Sequence, residues 1–284
     1  RVVTLRHRPV RHVAAAAATI AGLLAAFNPA TAQSPTQLQV DTALVVAVDV
    51  SNSVDEERYR LQMEGIANAL EDSGVIDAIT NGPNGGILFA MVTWADRPDF
   101  TLPWQKISSK EEAYAVASKI RKLPHQGGEF TCMTRMMRSV NDKVVSQIPA
   151  ESLRVVLDVS GDGPDNCNAE EPIEKVRDEL VANGVTVNGL PINIGDPSEP
   201  VGEGAYRAPG SDFEDSTLKG AGPVTLEQWY RSYVMGGTGA FVLPANGYND
   251  FGRAIRQKFV IEITGLGVPK RRHMGVAGDM KATK

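Results

Sequence analysis

The hydrophobic pattern of this chain is dominated by short, continuous apolar runs. Residues 44–48 read Leu-Val-Val-Ala-Val, and residues 154–159 read Arg-Val-Val-Leu-Asp-Val. Short apolar runs rich in β-branched residues, of which the second is broken only by Asp158, are typical of parallel strands that are covered on both faces. We therefore predict a strand at each of these positions, and further strands over 87–94, 185–192 and 239–243.

Stretches with helical spacing separate these runs. In residues 55–72, Tyr59, Met63, Ile66 and Leu70 recur every three or four positions, and acidic residues occupy the first turn, as in an amphipathic helix. Further helices are predicted over 110–122, 132–145, 169–183, 225–235 and 249–263. Strands that alternate with helices indicate an α/β fold with a mostly parallel, doubly wound sheet and helices on both faces.

One β-rich run, residues 100–107, contains a proline at position 103. Because proline has no N–H to donate to a neighbouring strand, it is confined to edge strands and bulges. We therefore place this run at an edge of the sheet.

The two ends of the chain differ in composition from its middle. Residues 1–32 contain four arginines, continue with an apolar, alanine-rich stretch and end with Ala-Thr-Ala. This pattern is typical of a secretory signal peptide cleaved after Ala32, and a retained membrane anchor is the alternative. We predict a linker over 33–40, a globular domain over 41–264 with a loop excursion over 195–224, and a basic, disordered tail over 265–284.

Charge and cysteine content narrow the possible functions. The formal charge is −5, and removal of the four arginines in residues 1–32 changes it to −9. Nucleic acid is a poor partner for such an acidic protein. We expect a periplasmic or secreted protein with no membrane span after signal cleavage. An even cysteine count in a secreted chain favours a disulfide between Cys132 and Cys167, with buried free thiols as the alternative.

Oxygen-bearing side chains follow two of the predicted strands. Asp49, Ser51 and Ser53 come directly after the first run, and Asp162 follows the run that ends at residue 159. In an open α/β sheet, ligands collect beyond the carboxyl ends of the strands, and hard cations such as Mg²⁺ take oxygen ligands. The alternative is that Ser53 forms a capping box with the glutamate three residues later and that these residues only cap a helix.

These residues also give the chain a resemblance to a known family. D-V-S-N-S at 49–53, Thr131 in T-C-M-T-R-M-M and Asp162 in V-S-G-D-G resemble the three parts of the metal-ion-dependent adhesion site (MIDAS) of von Willebrand factor type A (VWA) domains, as found in integrin inserted domains. The resemblance covers about residues 41–264. More narrowly, D-V-S-G-D-G-P-D-N and G-G-T-G-A-F-V resemble segments of a bacterial family of secreted VWA proteins with no assigned function.

The resemblance implies a Rossmann-like sheet with one antiparallel edge strand. It also implies one Mg²⁺ or Mn²⁺ ion, with the site residues Asp49, Ser51, Ser53, Thr131 and Asp162. The two serines would bind the ion directly. Thr131 would bind it directly when the partner's group is engaged, and the two aspartates would often bind it through water. Thr134, in the same segment, remains an alternative to Thr131. The implied function is a binding module whose cation receives a carboxylate from a protein partner, and not an enzyme.

Two other functions stay open at this point. A hydrolase could use the same cation as a Lewis acid, although His125, the one histidine between the signal and the tail, gives little support to a catalytic triad or a zinc site. A metal-free scaffold would need the site residues only for structure. For Asp158 we expect a structural hydrogen bond, and for Asp165 and Asn166 either orientation of the third loop or ordinary turn chemistry.

Overall fold

The computed structural model of the protein describes residues 38–167, 170–201 and 224–265, and its centre is a five-stranded sheet. The strands are β1 (Gln39–Asp49), β2 (Ile87–Trp94), β3 (Pro98–Ile107), β4 (Glu151–Gly161) and β5 (Val185–Pro191). They lie in the order β3-β2-β1-β4-β5, and all neighbouring pairs are parallel except β2 and β3. The predicted sheet with one antiparallel edge strand is confirmed, and Pro103 lies in that strand.

A further segment pairs with β5 only through isolated bridges. Val242 makes a parallel bridge to Gly189, and Ala245 makes one to Ile192. The strand predicted over 239–243 is therefore an irregular extension of the sheet. It follows that β5 is only partly covered at this edge.

Seven α-helices lie in the described part of the chain. They are α1 (Glu56–Glu71), α2 (Ser73–Thr80), α3 (Lys110–Ile120), α4 (Met133–Ser139), α5 (Ile173–Ala182), α6 (Leu226–Trp229) and α7 (Tyr248–Thr264). Both α4 and α6 run into a π-helical turn, at Val140–Val144 and Tyr230–Val234. Every predicted helix has a counterpart, and α2 is an addition that the sequence pattern did not indicate.

The two faces of the sheet form two separate apolar cores. Alternate residues of a strand point to opposite faces, so Leu44, Val46 and Val48 of β1 pack into one core together with residues of α1, α2, α3 and α7. Val45 and Ala47 pack into the other core with residues of α4, α5 and α6. All five side chains are at most 1% exposed. β1 is thus fixed from both sides, which holds its carboxyl end in place.

A buried cluster of charged residues connects α7 to the sheet. The Nζ atom of Lys258 lies 3.3 Å from Oδ1 of Asp158 in β4 and 3.1 Å from Oε1 of Glu262. Asn188 in β5 donates a hydrogen bond to the same Glu262 oxygen at 2.8 Å. Burial and the charge of Glu262 raise the pKa of Asp158 above its ordinary value. Neither side-chain oxygen of Asp158 has a hydrogen-bond partner among the described residues, so Asp158 makes a buried ion pair in place of the structural hydrogen bond that we expected.

Several predicted regions lie outside the described residues. These are the signal segment 1–32, most of the linker 33–40, residues 202–223 of the loop excursion and nearly all of the tail. Two short strands, β6 (Pro200–Val201) and β7 (Val224–Thr225), pair antiparallel on either side of residues 202–223. Among the helices described above, none combines the length and the apolar character needed to cross a membrane.

Candidate metal-binding site

The structure brings the five predicted site residues together at the carboxyl ends of β1 and β4. Asp49 is the last residue of β1, and Asp162 directly follows β4. The hydroxyl groups form a chain between the loops: Thr131 Oγ1 donates to Ser51 Oγ at 3.3 Å, and the Oγ atoms of Ser51 and Ser53 are 3.3 Å apart. Ser53 Oγ then donates to Asp162 Oδ1 at 2.7 Å. Residues from three separate parts of the sequence thus form one polar cluster.

Asp49 is the buried end of this cluster. Its side chain is fully buried, and its Oδ1 accepts a hydrogen bond from the Ser51 N–H at 2.8 Å. Its Oδ2 has no hydrogen-bond partner among the described residues. Burial and the charge of Asp162 raise the pKa of Asp49 to about 8. An unpartnered, buried carboxylate oxygen is costly, and a cation would relieve that cost.

A glycine leaves room beside this oxygen. A Cβ atom at Gly161 would lie 2.9 Å from Asp49 Oδ2 and 2.9 Å from the hydroxyl oxygen of Tyr230. That hydroxyl donates to the carbonyl of Gly161 at 3.3 Å. Since both distances are too short for a carbon, any larger residue would displace either the carboxylate or the tyrosine.

Tyr248, at the start of α7, holds the second carboxylate. Its hydroxyl donates to Asp162 Oδ2 at 2.9 Å, so the two oxygens of Asp162 are bonded to Tyr248 and Ser53. Burial and the charge of Asp162 raise the pKa of Tyr248 well above its ordinary value. The sequence pattern gave no sign of the roles of Tyr230 and Tyr248, because Tyr230 looks like an apolar position of a predicted helix and Tyr248 directly precedes another.

The second loop is tied to the third at Thr131. Its N–H donates to Asn166 Oδ1 at 2.7 Å, and its carbonyl accepts from the Asn166 N–H at 3.1 Å. At the next position along each loop, Cys132 and Cys167 form the predicted disulfide, with Cα atoms 5.0 Å apart. Asn166 and the disulfide thus connect the second loop to the third.

Thr134 occupies a different environment. Its hydroxyl and its N–H both donate to Oδ2 of Asp165, and burial raises the pKa of that aspartate to about 6. Thr131, in contrast, bonds to Ser51. Of the two threonines that the sequence left open, the structure therefore places Thr131 in the polar cluster.

The loop before Thr131 is organised by Asp96, which follows β2. Asp96 Oδ1 accepts from the N–H groups of Phe130 at 2.7 Å and Glu129 at 3.2 Å. A Cβ atom at Gly128 would meet Asp96 Oδ2 at 2.9 Å. Asp96 was not among the predicted site residues, although an acid two residues after a predicted strand was a signal that could have pointed to it.

The capping alternative for Ser53 is wrong. The residue that caps α1 is Asp55, whose Oδ1 accepts from the N–H of Arg58 at 2.8 Å. Glu56 lies 2.9 Å from Nδ1 of His125, whose ring stacks on Tyr59. Ser53 is left to bond Asp162. The physical reason is that α1 begins at Glu56, two residues too late for Ser53 to reach its first N–H groups.

The donor set of the cluster fits a hard divalent cation. It consists of two carboxylates and three hydroxyls, and Mg²⁺ and Mn²⁺ prefer such oxygen ligands. No group of three or more His, Cys, Asp or Glu residues in the described ranges could hold a metal ion. A cation at this cluster would therefore depend on its hydroxyl groups.

The comparisons with known proteins identify the family. A family model described as "Protein of unknown function (DUF1194)" matches residues 39–267. The chain belongs to this family. No curated protein matches the sequence of this DUF1194 member.

Solved structures show which fold the DUF1194 chain has. Proximal thread matrix protein 1 from the mussel byssus, "with zinc occupied MIDAS motif", is 18% identical with a TM-score of 0.53. The match covers 80% of this chain and 49% of the byssus protein. A further structure of the same byssus protein is 14% identical with a TM-score of 0.54, covering 80% and 48%. A von Willebrand factor type A protein from Catenulispora acidiphila is 14% identical with a TM-score of 0.49, covering 79% and 43%. The chain thus spans about half the length of the byssus protein, and the predicted VWA fold is confirmed.

Proposed function

We propose that this chain is a VWA binding module that holds one divalent cation, Mg²⁺ or Mn²⁺, and uses it to bind an acidic group of a protein partner. The proposed ligands are Asp49, Ser51, Ser53, Thr131 and Asp162. We also propose that the protein works in the periplasm or outside the cell, which rests on the composition of residues 1–32.

The observation that carries this proposal is the unpartnered Oδ2 of Asp49. This oxygen is buried next to a second carboxylate, Asp162, and no described residue bonds to it. Burial and the repulsion from the charge of Asp162 raise the pKa of Asp49. A bound dication would compensate both charges and would give Asp49 Oδ2 a partner, directly or through water.

The neutral ligands explain why an outside acid would bind. Ser51, Ser53 and Thr131 contribute oxygen atoms without negative charge, so the two aspartates of the site supply only enough charge to balance a dication. When bound, the cation offers a Lewis-acidic position to a further oxygen ligand. The structural neighbour described with a zinc-occupied MIDAS motif is a precedent for a cation on this fold.

Thermal unfolding of the full chain tests cation binding. A ligand that binds only the folded state at a hundred times its Kd stabilises by about 2.7 kcal/mol, which for a domain of this size is a rise of about 5–10 °C in Tm. We expect this rise when EDTA is replaced by Mg²⁺ or Mn²⁺. Ser51→Ala should lose it, whereas Ser118→Ala, on the exposed side of α3, should keep it.

Partner chemistry needs a second measurement. A glutamate-containing peptide and its glutamine counterpart can be compared by fluorescence polarisation, each with Mg²⁺ and with EDTA. We expect the glutamate peptide to bind more tightly, and only with Mg²⁺. An unchanged Tm in wild type, or an equal rise in Ser51→Ala, would contradict the cation site; equal binding of both peptides would contradict the carboxylate mechanism.

A further inference from the structure

We propose that Asn166 is a positioning residue of the cation site, and that it acts by fixing the backbone of Thr131. This inference rests on the proposed function, because it concerns the affinity for the cation. Asn166 does not bond to any of the other four site residues in the described structure. Its effect would therefore pass through Thr131 alone.

Asn166 bonds both backbone polar groups of Thr131. The side-chain oxygen of Asn166 accepts from the Thr131 N–H at 2.7 Å, and the Asn166 N–H donates to the Thr131 carbonyl at 3.1 Å. These two hydrogen bonds resemble those between paired β-strands, although neither loop is a strand. The two peptide groups that flank Thr131 are each held by one of these bonds, so its backbone has little freedom to rotate, and the direction of the Thr131 side chain is set by the third loop.

The position of this contact couples the second loop to the third. Thr131 Oγ1 reaches Ser51 Oγ at 3.3 Å, and Thr131 is 6% exposed. Asn166 lies four residues after Asp162, and in the third loop it belongs to the same short segment as that proposed ligand. A shift of the third loop would therefore move a carboxylate and a hydroxyl of the site together.

The neighbouring disulfide does not make this contact redundant. Cys132 and Cys167 join the loops one position further along, which limits how far the loops can separate. A disulfide leaves the rotation of the adjacent peptide groups free, however, and within the described part of the chain Asn166 alone bonds the N–H of Thr131. When a residue that hydrogen-bonds to a metal ligand and orients it is removed, the affinity for the metal typically falls 10-fold to 100-fold.

Three variants of the full chain test the role of Asn166, with Mn²⁺ as the probe in titration calorimetry. Asn166→Ala removes the acceptor, and we expect the Kd for Mn²⁺ to rise about tenfold or more. Asn166→Asp keeps an acceptor oxygen in the same place, and it should retain most of the affinity. Asn84→Ala makes the same chemical change at an exposed residue that precedes β2, away from the carboxyl ends of the strands, and it should bind as wild type does.

A double-mutant cycle separates positioning from a general loss of structure. If Asn166 acts through Thr131, then Asn166→Ala should add little to the loss of affinity that Thr131→Ala already causes, because the effects of coupled residues do not add. If the two losses are additive, or if Asn166→Ala binds Mn²⁺ as tightly as wild type, the proposal is overturned.

Hydrogen exchange in EDTA distinguishes this inference from the proposed function. The Thr131 N–H should exchange faster in Asn166→Ala than in wild type without any cation, and Asn166→Asp should restore its protection. Should wild type fail to bind Mn²⁺, the proposed function fails, and faster exchange would then show that Asn166 fixes Thr131 for another purpose. Unchanged exchange would refute the positioning role itself.

Discussion

Replacing the buried aspartate by its amide should stabilise the protein without cation and abolish its response to cation. Asp49 is fully buried, one of its oxygens has no partner, and burial raises its pKa from 3.8 to about 8. Asp49→Asn keeps the size and shape of the side chain and removes the charge. Its Oδ1 can still accept the hydrogen bond from Ser51.

The magnitude follows from the pKa of Asp49. A carboxyl group with a raised pKa in the folded state contributes stability that is fully present below its unfolded pKa of 3.8. This stability is lost progressively as the pH rises from 3.8 through the folded-state pKa of about 8. At pH 7 wild type has lost this stability over roughly three pH units, or about 4 kcal/mol, and at pH 5 over roughly one pH unit, or about 2 kcal/mol. The amide nitrogen that Asp49→Asn introduces would itself be buried without an acceptor, which costs about 1–3 kcal/mol. We therefore expect the variant to be more stable than wild type by about 1–3 kcal/mol at pH 7, and to have no such advantage at pH 5.

Urea denaturation at both pH values measures this difference. In EDTA the gap between Asp49→Asn and wild type should widen as the pH rises from 5 to 7. Addition of Mg²⁺ at pH 7 should stabilise wild type and leave the variant unchanged. Asp77→Asn, an exposed change in α2, is the control. If Asp49→Asn is less stable than wild type by the same margin at both pH values, burial does not penalise this carboxylate and the reasoning is wrong.

Two further predictions concern the loops around the site. Replacing Cys132 and Cys167 together by serine opens a loop of 35 residues and should lower the free energy of unfolding by about 3–4 kcal/mol; an unchanged urea midpoint would contradict it. Asp55→Ala should cost about 1 kcal/mol of stability through the lost cap of α1 and leave the Kd for Mn²⁺ unchanged, while Ser53→Ala should raise that Kd. Similar effects of the two changes on Kd would mean that capping and cation binding are not separate.

The elements that sequence reasoning placed correctly are those whose local pattern agrees with their burial. β1 and β4 carry apolar residues on both faces because both faces are covered, so their short apolar runs were enough to identify them. The site residues at the ends of these strands could be grouped because parallel strands end at the same edge of a sheet. The short helix α2 was missed because eight residues offer too few turns for a periodic pattern.

The contacts that escaped the sequence depend on partners far away in the chain. Lys258 and Glu262 are four residues apart on α7, a spacing that usually marks an exposed ion pair, yet both are buried against Asp158 of β4. Tyr248 could not be separated from the apolar side of its helix. Only the position of α7 in the fold shows that the hydroxyl of Tyr248 reaches Asp162.

The central place of β1 makes the candidate site a property of the completed sheet. Asp49 and Asp162 are brought side by side because β1 pairs with β4, residue for residue, up to their carboxyl ends. Any partly folded form in which these strands have not joined retains only the local D-x-S-x-S segment, which holds one carboxylate. Occupancy of the site would thus report that the two halves of the domain have come together, and a cation in the medium would favour the finished fold over its precursors.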